Sequence, residues 1–163
     1  MDLLWHELTY GLQGRGHLAI VVLRVLTAIL LGGLVGIERE RAGKPAGLRT
    51  HMLVCLGTAL VVLACSGAAM SMEGLSRVIQ GIVTGIGFIG AGSILKLDEE
   101  RHIEGLTTAA GLWMTAAIGV AVGLGALGVA LIGTIVTLLV LLLEGVLESR
   151  ISSKPSKKNK DND

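Results

Sequence analysis

The chain has 163 residues, of which 52% are apolar and 17% charged, and its mean hydropathy is +0.72. This composition excludes an ordinary soluble domain, in which about 25% of residues are charged. The net charge of only +1, with one short basic cluster near the C-terminus, excludes a nucleic-acid-binding protein with a large basic surface.

Five apolar runs follow one another, each close to the ~20 residues that cross a ~30 Å hydrocarbon core as a helix. They are Leu18–Ile37, Leu48–Met70, Val78–Leu95, Leu106–Leu124 and Ala126–Leu147. We therefore predict an all-α integral membrane domain over residues 18–147. A segment of residues 1–17 precedes it, and a basic, disordered cytoplasmic tail over residues 148–163 follows it.

The basic residues predict the orientation of the chain. Eleven of the fourteen Lys and Arg fall into the first loop, the third loop and the tail, which lie on one side if the chain crosses five times. The positive-inside rule then places the N-terminus outside and the C-terminus in the cytoplasm. A four-span arrangement would separate the basic tail from the basic first loop, and we reject it.

Residues 1–17 do not resemble a cleaved signal peptide, because they carry Asp2 and Glu7 and lack a basic start and a cleavage site. Trp5 and Tyr10 indicate a segment that lies in the outer membrane interface. Cys55 and Cys65 are ten residues apart on the second span, ~15 Å along a helix axis, so they cannot form a disulfide with each other.

Two ionisable positions in the first span leave alternatives open. Arg24 lies inside the span, where it must extend its side chain to the interface, pair, or face water. Glu38 closes the span, either as the edge of a solvated loop or as a side chain partly buried by the glycines before it.

Small residues recur at helical spacing within three spans. They are Ala28, Gly32 and Gly36; Gly81 and Gly85; and Gly111, Thr115, Gly119 and Gly123. Such ridges let helix backbones approach closely in lipid. They indicate a tightly packed bundle, or faces that slide or line a pore. The bulky fifth span predicts a peripheral position or an oligomer contact, and we expect a homo-oligomer through the fifth span or the glycine faces.

A short internal repeat relates the first two spans to the next two. Residues 47–50 are Gly-Leu-Arg-Thr and residues 105–108 are Gly-Leu-Thr-Thr, and each motif opens a span. The similarity indicates either a parallel two-hairpin duplication or a chance likeness between glycine-rich spans.

If the repeat is real, two helix N-termini meet at the cytoplasmic face and favour an anion or a carboxylate. Thr50 and Thr108 could satisfy the free amides. Glu38 and Glu40 are candidate partners, with Arg39 and Arg49 balancing their charge.

No catalytic pattern is visible. The sequence lacks a zinc-protease motif, a P-loop, a nucleophile elbow and a Cys/His set with metal-binding spacing. We predict that the chain is not an enzyme and needs no cofactor. The third loop, with acidic residues at 98–100 and at 104, is a solvated connector or a weak attractant of divalent cations.

Three segments resemble the MgtC/SapB family of bacterial inner-membrane proteins. Residues 32–57 resemble its opening signature, and residues 81–96 and 105–119 its later motifs, so that the likeness covers roughly residues 20–145. The resemblance implies about five spans and a link to growth at low magnesium and to survival in macrophages. Some members are reported to restrain the F-type ATP synthase, and others carry only transport labels. The best-known members add a cytoplasmic C-terminal domain, which we do not expect in this chain.

The resemblance also marks candidate functional residues, although it assigns them no chemical role. In the first block they are Glu38, Arg39, Glu40, Lys44, Gly47, Arg49, Thr50 and His51. In the second they are Gly87, Gly90, Gly92, Lys96, Gly105, Thr107, Thr108 and Trp113.

Two functions follow as hypotheses. The first is a regulatory or accessory protein linked to magnesium homeostasis, which binds other membrane machinery such as the F-type ATP synthase. The second is a transporter or channel for magnesium, another cation or a small solute, with Glu38, Arg49 and the third span along its path. The mid-span polar residues Thr84, Ser93 and Thr115 are readily satisfied by carbonyls of their own helix, which favours the first.

Overall fold

Five long helices form the chain in the computed structural model, which describes residues 15–67, 70–97 and 102–152 together with Met1 and Leu4. They are α1 (Arg15–Arg41), α2 (Leu48–Gly67), α3 (Met72–Gly92), α4 (Leu106–Leu124) and α5 (Leu127–Ser152). All five are long and apolar enough to cross a membrane, which confirms the five predicted spans. The predicted interfacial residues Trp5 and Tyr10 and the loop and tail residues 98–101 and 153–163 lie outside the described residues.

The helix ends differ from the predicted boundaries where polar residues extend a helix. The third helix begins at Met72 rather than Val78, since Ser71 caps it by accepting a hydrogen bond from the Gly74 N–H at 3.1 Å. Glu73 in its first turn suits the positive helix end. The fifth helix continues to Ser152, five residues into the segment predicted as a tail.

A small hairpin is the departure from an all-helical chain in the described part. Strand β1 (Leu95–Leu97) pairs antiparallel with β2 (His102–Glu104), and Leu95 lies opposite Glu104. Gly105 then turns the chain into α4 with a φ of 92°. A Cβ at this position would also collide with the Ser93 carbonyl, so only glycine fits the turn.

The five helices alternate in direction along the chain. One end of the bundle, which we call the charged end, holds the C-terminus of α1, the N-termini of α2 and α4, and Glu144 of α5. The most buried helix is α4, with 50% of its span inside the bundle against 11% for α3. The N-out, C-in orientation and the two-hairpin repeat stay predictions.

The α1 and α2 backbones approach closely at two of the predicted ridge glycines. A Cβ on Gly32 would lie 2.7 Å from the Cβ of Cys55, and one on Gly36 would lie 2.7 Å from the Cα of Leu48. Ala28, the third member of this ridge, is fully buried. The ridge therefore lies in the α1–α2 contact, where small residues permit close packing.

The α4 ridge packs on a neighbouring face of α2, and Cys55 takes part in both contacts. A Cβ on Gly119 would collide with the Cys55 carbonyl oxygen and the Thr58 hydroxyl, and one on Gly123 would lie 2.7 Å from the Cβ of Val62. Helix α2 is thus in close contact with both α1 and α4 through glycines of those two helices.

The glycines of α3 have a different environment. No atom of the described chain lies within 4 Å of a Cβ placed on Gly81, Gly85, Gly87 or Gly92. Gly90 alone approaches α4, where its Cβ position lies 3.5 Å from the Cβ of Ala109. One face of α3 is therefore uncovered.

Candidate functional site

The charged end contains the predicted site residues that the structure brings together. Since α1 continues to Arg41, the residues at 38–41 lie on a helix and not in a loop. Their side chains consequently point in successive directions about 100° apart. Glu38, Arg39 and Glu40 reach three different parts of the bundle.

Arg39 is buried between two carboxylates, and we call these three residues the Arg39 cluster. Its Nε and Nη2 donate to the two oxygens of Glu38 at 2.6 and 3.1 Å. Its Nη1 and Nη2 donate to Oε2 of Glu144 at 3.2 and 3.3 Å. The Arg39 side chain is 1% exposed, against 14% for Glu38 and 22% for Glu144. The cluster joins the end of α1 to α5 and carries one net negative charge.

Sequence reasoning missed Glu144, the second partner in this cluster. The residue lies inside the fifth predicted span, and an ionisable side chain in a span is by itself a sign of a partner or a function. That signal could have found Glu144, although the identity of its partner, 105 positions away in the sequence, was not visible.

Glu40 reaches the N-terminus of α2. Its Oε2 accepts a hydrogen bond from the backbone N–H of Leu48 at 2.9 Å. The Cβ position of Gly47 lies 2.9 Å from the same oxygen, so a side chain there would displace the carboxylate. Of the two predicted partners for a helix N-terminus, the structure places Glu40 there, while Glu38 turns to Arg39.

His51 lies in the interior between α1, α2 and α4, and it is fully buried. Its Nδ1 lies 2.7 Å from the hydroxyl of Thr115, which donates to the Gly111 carbonyl at 2.9 Å. A hydroxyl has one hydrogen, so Nδ1 of the imidazole is the donor in this chain of bonds. The Nε2 atom has no hydrogen-bond partner among the described residues.

Room for the imidazole ring comes from glycines on both neighbouring helices. The Cβ position of Gly36 lies 3.1 Å from the Cβ of His51, and that of Gly111 lies 3.6 Å from its Cε1. The Nδ1 atom of the buried imidazole has the Thr115 hydroxyl as its hydrogen-bond partner, as buried polar groups generally require. These contacts join α2 to α4 one layer below the Arg39 cluster.

The other predicted site residues are dispersed. Arg49 is exposed, Thr50 and Lys44 are half-buried, and Thr108 is buried in α4. Thr107 lines a cavity between α4 and α5, and Trp113 one between α3 and α4. Gly87, Gly92 and Lys96 lie on α3 and β1. Among the described residues, no group of three or more His, Cys, Asp or Glu is arranged to hold a metal ion.

Arg24 pairs with a helix end at the opposite side of the bundle. Its Nη1 donates to the Gly123 carbonyl at 2.9 Å, and its guanidinium lies against Gly125 just after α4. Gly125 has a φ of 83°, which ends the helix. The cation thus compensates the negative end of the α4 dipole, which resolves the alternatives for Arg24 in favour of pairing.

We expect Arg24→Met to lower the free energy of unfolding by about 1–2 kcal/mol, because the C-terminal carbonyl of α4 loses a charged donor in an apolar environment. Denaturant unfolding in lipid–detergent micelles measures the change. Arg77→Met is the matched control, since Arg77 is 75% exposed and pairs with Glu73 on the surface of its own helix. Equal effects of the two substitutions would contradict the assignment.

Comparison with known proteins connects the chain to one family. The family model described as "MgtC family" matches residues 25–150. Protein SrpB of Synechococcus elongatus is 43% identical over 129 residues, covering 72% of this chain and 71% of that protein. The "Putative magnesium transporter YhiD" of Escherichia coli K12 is 41% identical over 140 residues, or 82% of this chain.

A third relative, Protein MgtC of Salmonella typhimurium LT2, is 42% identical over 134 residues, or 82% of this chain. The chain spans 64% of the length of YhiD and 56% of that of MgtC. No solved structure matches the chain.

Proposed function

Because the chain belongs to the MgtC family, we propose that this multi-pass membrane protein has an accessory or regulatory role in magnesium homeostasis in the bacterial inner membrane. It acts by binding another membrane protein and has no turnover of its own. The F-type ATP synthase is the candidate partner. The chain is inserted with its N-terminus outside, so that the charged end faces the cytoplasm.

The uncovered face of α3 is the observation that carries this proposal. Gln80, Gly81, Thr84 and Gly85 are all exposed, and Phe88 is 84% exposed. Glycines four residues apart let a partner helix approach closely, and an exposed amide within a span gains from a hydrogen-bonding partner. A helix that gives only 11% of its span to its own bundle has surface available for another protein.

The hydroxyls within the spans support the same proposal. The hydroxyls of Thr84, Thr115, Thr134 and Thr137 each donate to a carbonyl of their own helix at 2.7–2.9 Å. Hydroxyls bonded in this way are fixed to the backbone of their own helices, so none of them requires a passing ion as a partner. The two carboxylates of the Arg39 cluster are likewise engaged by a guanidinium.

Complex-preserving purification from crosslinked native membranes tests the proposal. We expect the wild-type chain to recover F-type ATP synthase subunits well above a tag-only background, and Gly85→Leu to lose them. Gly57→Leu on α2 is the matched control, because Gly57 is also exposed with no atom within 4 Å of its Cβ position. Recovery of no membrane protein above background would contradict the accessory role.

A transporter is the alternative function, and two observations favour it. The relative YhiD carries a magnesium-transporter name, and Glu38 keeps 14% of its side chain exposed beside a groove. In this alternative Glu38 lies on the path of the ion, and Glu38→Gln would abolish magnesium flux.

A further inference from the structure

A groove runs along the outside of the bundle between α1 and α5 and ends at the charged end. Its volume is about 430 Å³. Its walls are four aliphatic side chains: Leu34, Ile37, Leu138 and Leu142. Since Leu34 and Leu142 are 42% and 56% exposed, the groove opens sideways to the bilayer, where an acyl chain fits it. The proposed function makes no use of this groove.

The rim of the groove carries one charge of each sign. Glu38 and Arg41 both line it, three residues apart on one face of α1. Arg41 is exposed and has no ion-pair partner among the residues that the structure describes. Glu38 accepts from Arg39 on one side, and its carboxylate retains lone pairs for a further donor, because an ionised carboxylate has about four acceptor sites.

We propose that this groove binds one phospholipid with a zwitterionic, primary-ammonium headgroup, namely phosphatidylethanolamine. The phosphate lies on the Arg41 guanidinium, which binds phosphate through paired hydrogen bonds. The ammonium donates to Glu38, and one acyl chain follows the aliphatic walls. The distance from Leu34 to Arg41 along the helix is about 10 Å, so the charged rim lies where the apolar wall ends.

The two rim charges discriminate between headgroups. Phosphatidylglycerol offers the phosphate to Arg41 but has no ammonium, so Glu38 gains no cationic donor from it. Phosphatidylcholine offers a quaternary ammonium that cannot donate a hydrogen bond to the carboxylate. We therefore expect the protein to retain phosphatidylethanolamine more strongly than either of the other two lipids.

Native mass spectrometry of the full chain tests this assignment. The protein is extracted from vesicles that contain equal amounts of the three lipids, and bound lipid is identified by mass. We expect phosphatidylethanolamine to be enriched several-fold in the one-lipid complex. Arg41→Gln should reduce this complex about tenfold, the effect of losing a charge-assisted contact. Arg49→Gln is the matched control, since Arg49 is an exposed cation near the same end but lies outside the groove.

A second variant, Leu142→Trp, tests the apolar part of the groove independently of the two rim charges. Leu142→Trp fills the apolar part of the groove and should reduce retention of lipid with any headgroup, while Glu38→Gln, which removes the anionic acceptor for the ammonium, should change the headgroup preference. Equal retention of the three lipids by the wild type would overturn the proposal, as would preferential retention of phosphatidylglycerol. A lipid-free dimer that Leu142→Trp dissociates would also overturn it and assign the groove to a second copy of this chain.

Discussion

Replacing Arg39 with methionine is expected to lower the free energy of unfolding by about 3 kcal/mol, the largest effect of any substitution at the charged end. The change leaves Glu38 and Glu144 facing each other with no cation between them, in a site where their side chains are only 14% and 22% exposed. Removing one partner of a buried ion pair costs about 3–5 kcal/mol, and the residual exposure of the two carboxylates places this case at the lower limit.

A double variant separates the lost pair from lost packing. Arg39→Met combined with Glu144→Leu removes both the cation and one stranded carboxylate, so its loss of stability should be smaller than the sum of the two single losses. Unfolding in lipid–detergent micelles measures all three variants. Additive losses would mean that Arg39 and Glu144 do not interact, which would contradict the contact between α1 and α5.

Gly119→Ala is expected to destabilise the bundle by about 3 kcal/mol or more, because the new methyl group collides with the backbone carbonyl of Cys55 and the Thr58 hydroxyl. The helical backbone of α2 at Cys55 cannot move away locally from the new methyl group on α4, so the two helices must separate. That separation also lengthens the bond from His51 to Thr115, which joins the same two helices at 2.7 Å.

The matched control is Gly85→Ala, since it places the same methyl group on α3 where no atom of the described chain lies within 4 Å. This variant should keep or raise the stability of the monomer, because alanine is the better helix former. Thermal unfolding in micelles compares the two. A loss of stability at Gly85 as large as that at Gly119 would contradict the arrangement of the helices.

The sequence was sufficient to locate the spans, but it did not show which face of each span packs against a neighbouring helix. Apolar runs of membrane length located all five helices, and α4 has the predicted bounds because Gly105 and Gly125 both turn the chain at its ends. The predicted start of α3 at Val78 was too late. The first turn of the helix, which begins at Met72, contains the charged residue Glu73 and was therefore not recognised as part of an apolar run. The ridges at Gly81 and Gly119 share the same spacing, yet one is open and the other packed, and spacing alone does not say which face meets a neighbour.

The candidate site was visible in part for a related reason. Glu38, Arg39, Glu40 and His51 are close in sequence, so their common location near one end could be predicted. Their partners Glu144 and Thr115 lie on other helices, and such contacts depend on the relative placement of helices that local patterns do not specify.

Magnesium flux into proteoliposomes distinguishes an accessory protein without transport of its own from a transporter. The purified chain is reconstituted around a magnesium-sensitive dye, with Glu38→Gln and protein-free vesicles alongside, and insertion is verified. We expect wild type and variant both to admit magnesium only at the protein-free rate. Entry above that rate which Glu38→Gln abolishes would contradict the accessory role and make the chain a transporter with Glu38 on its path.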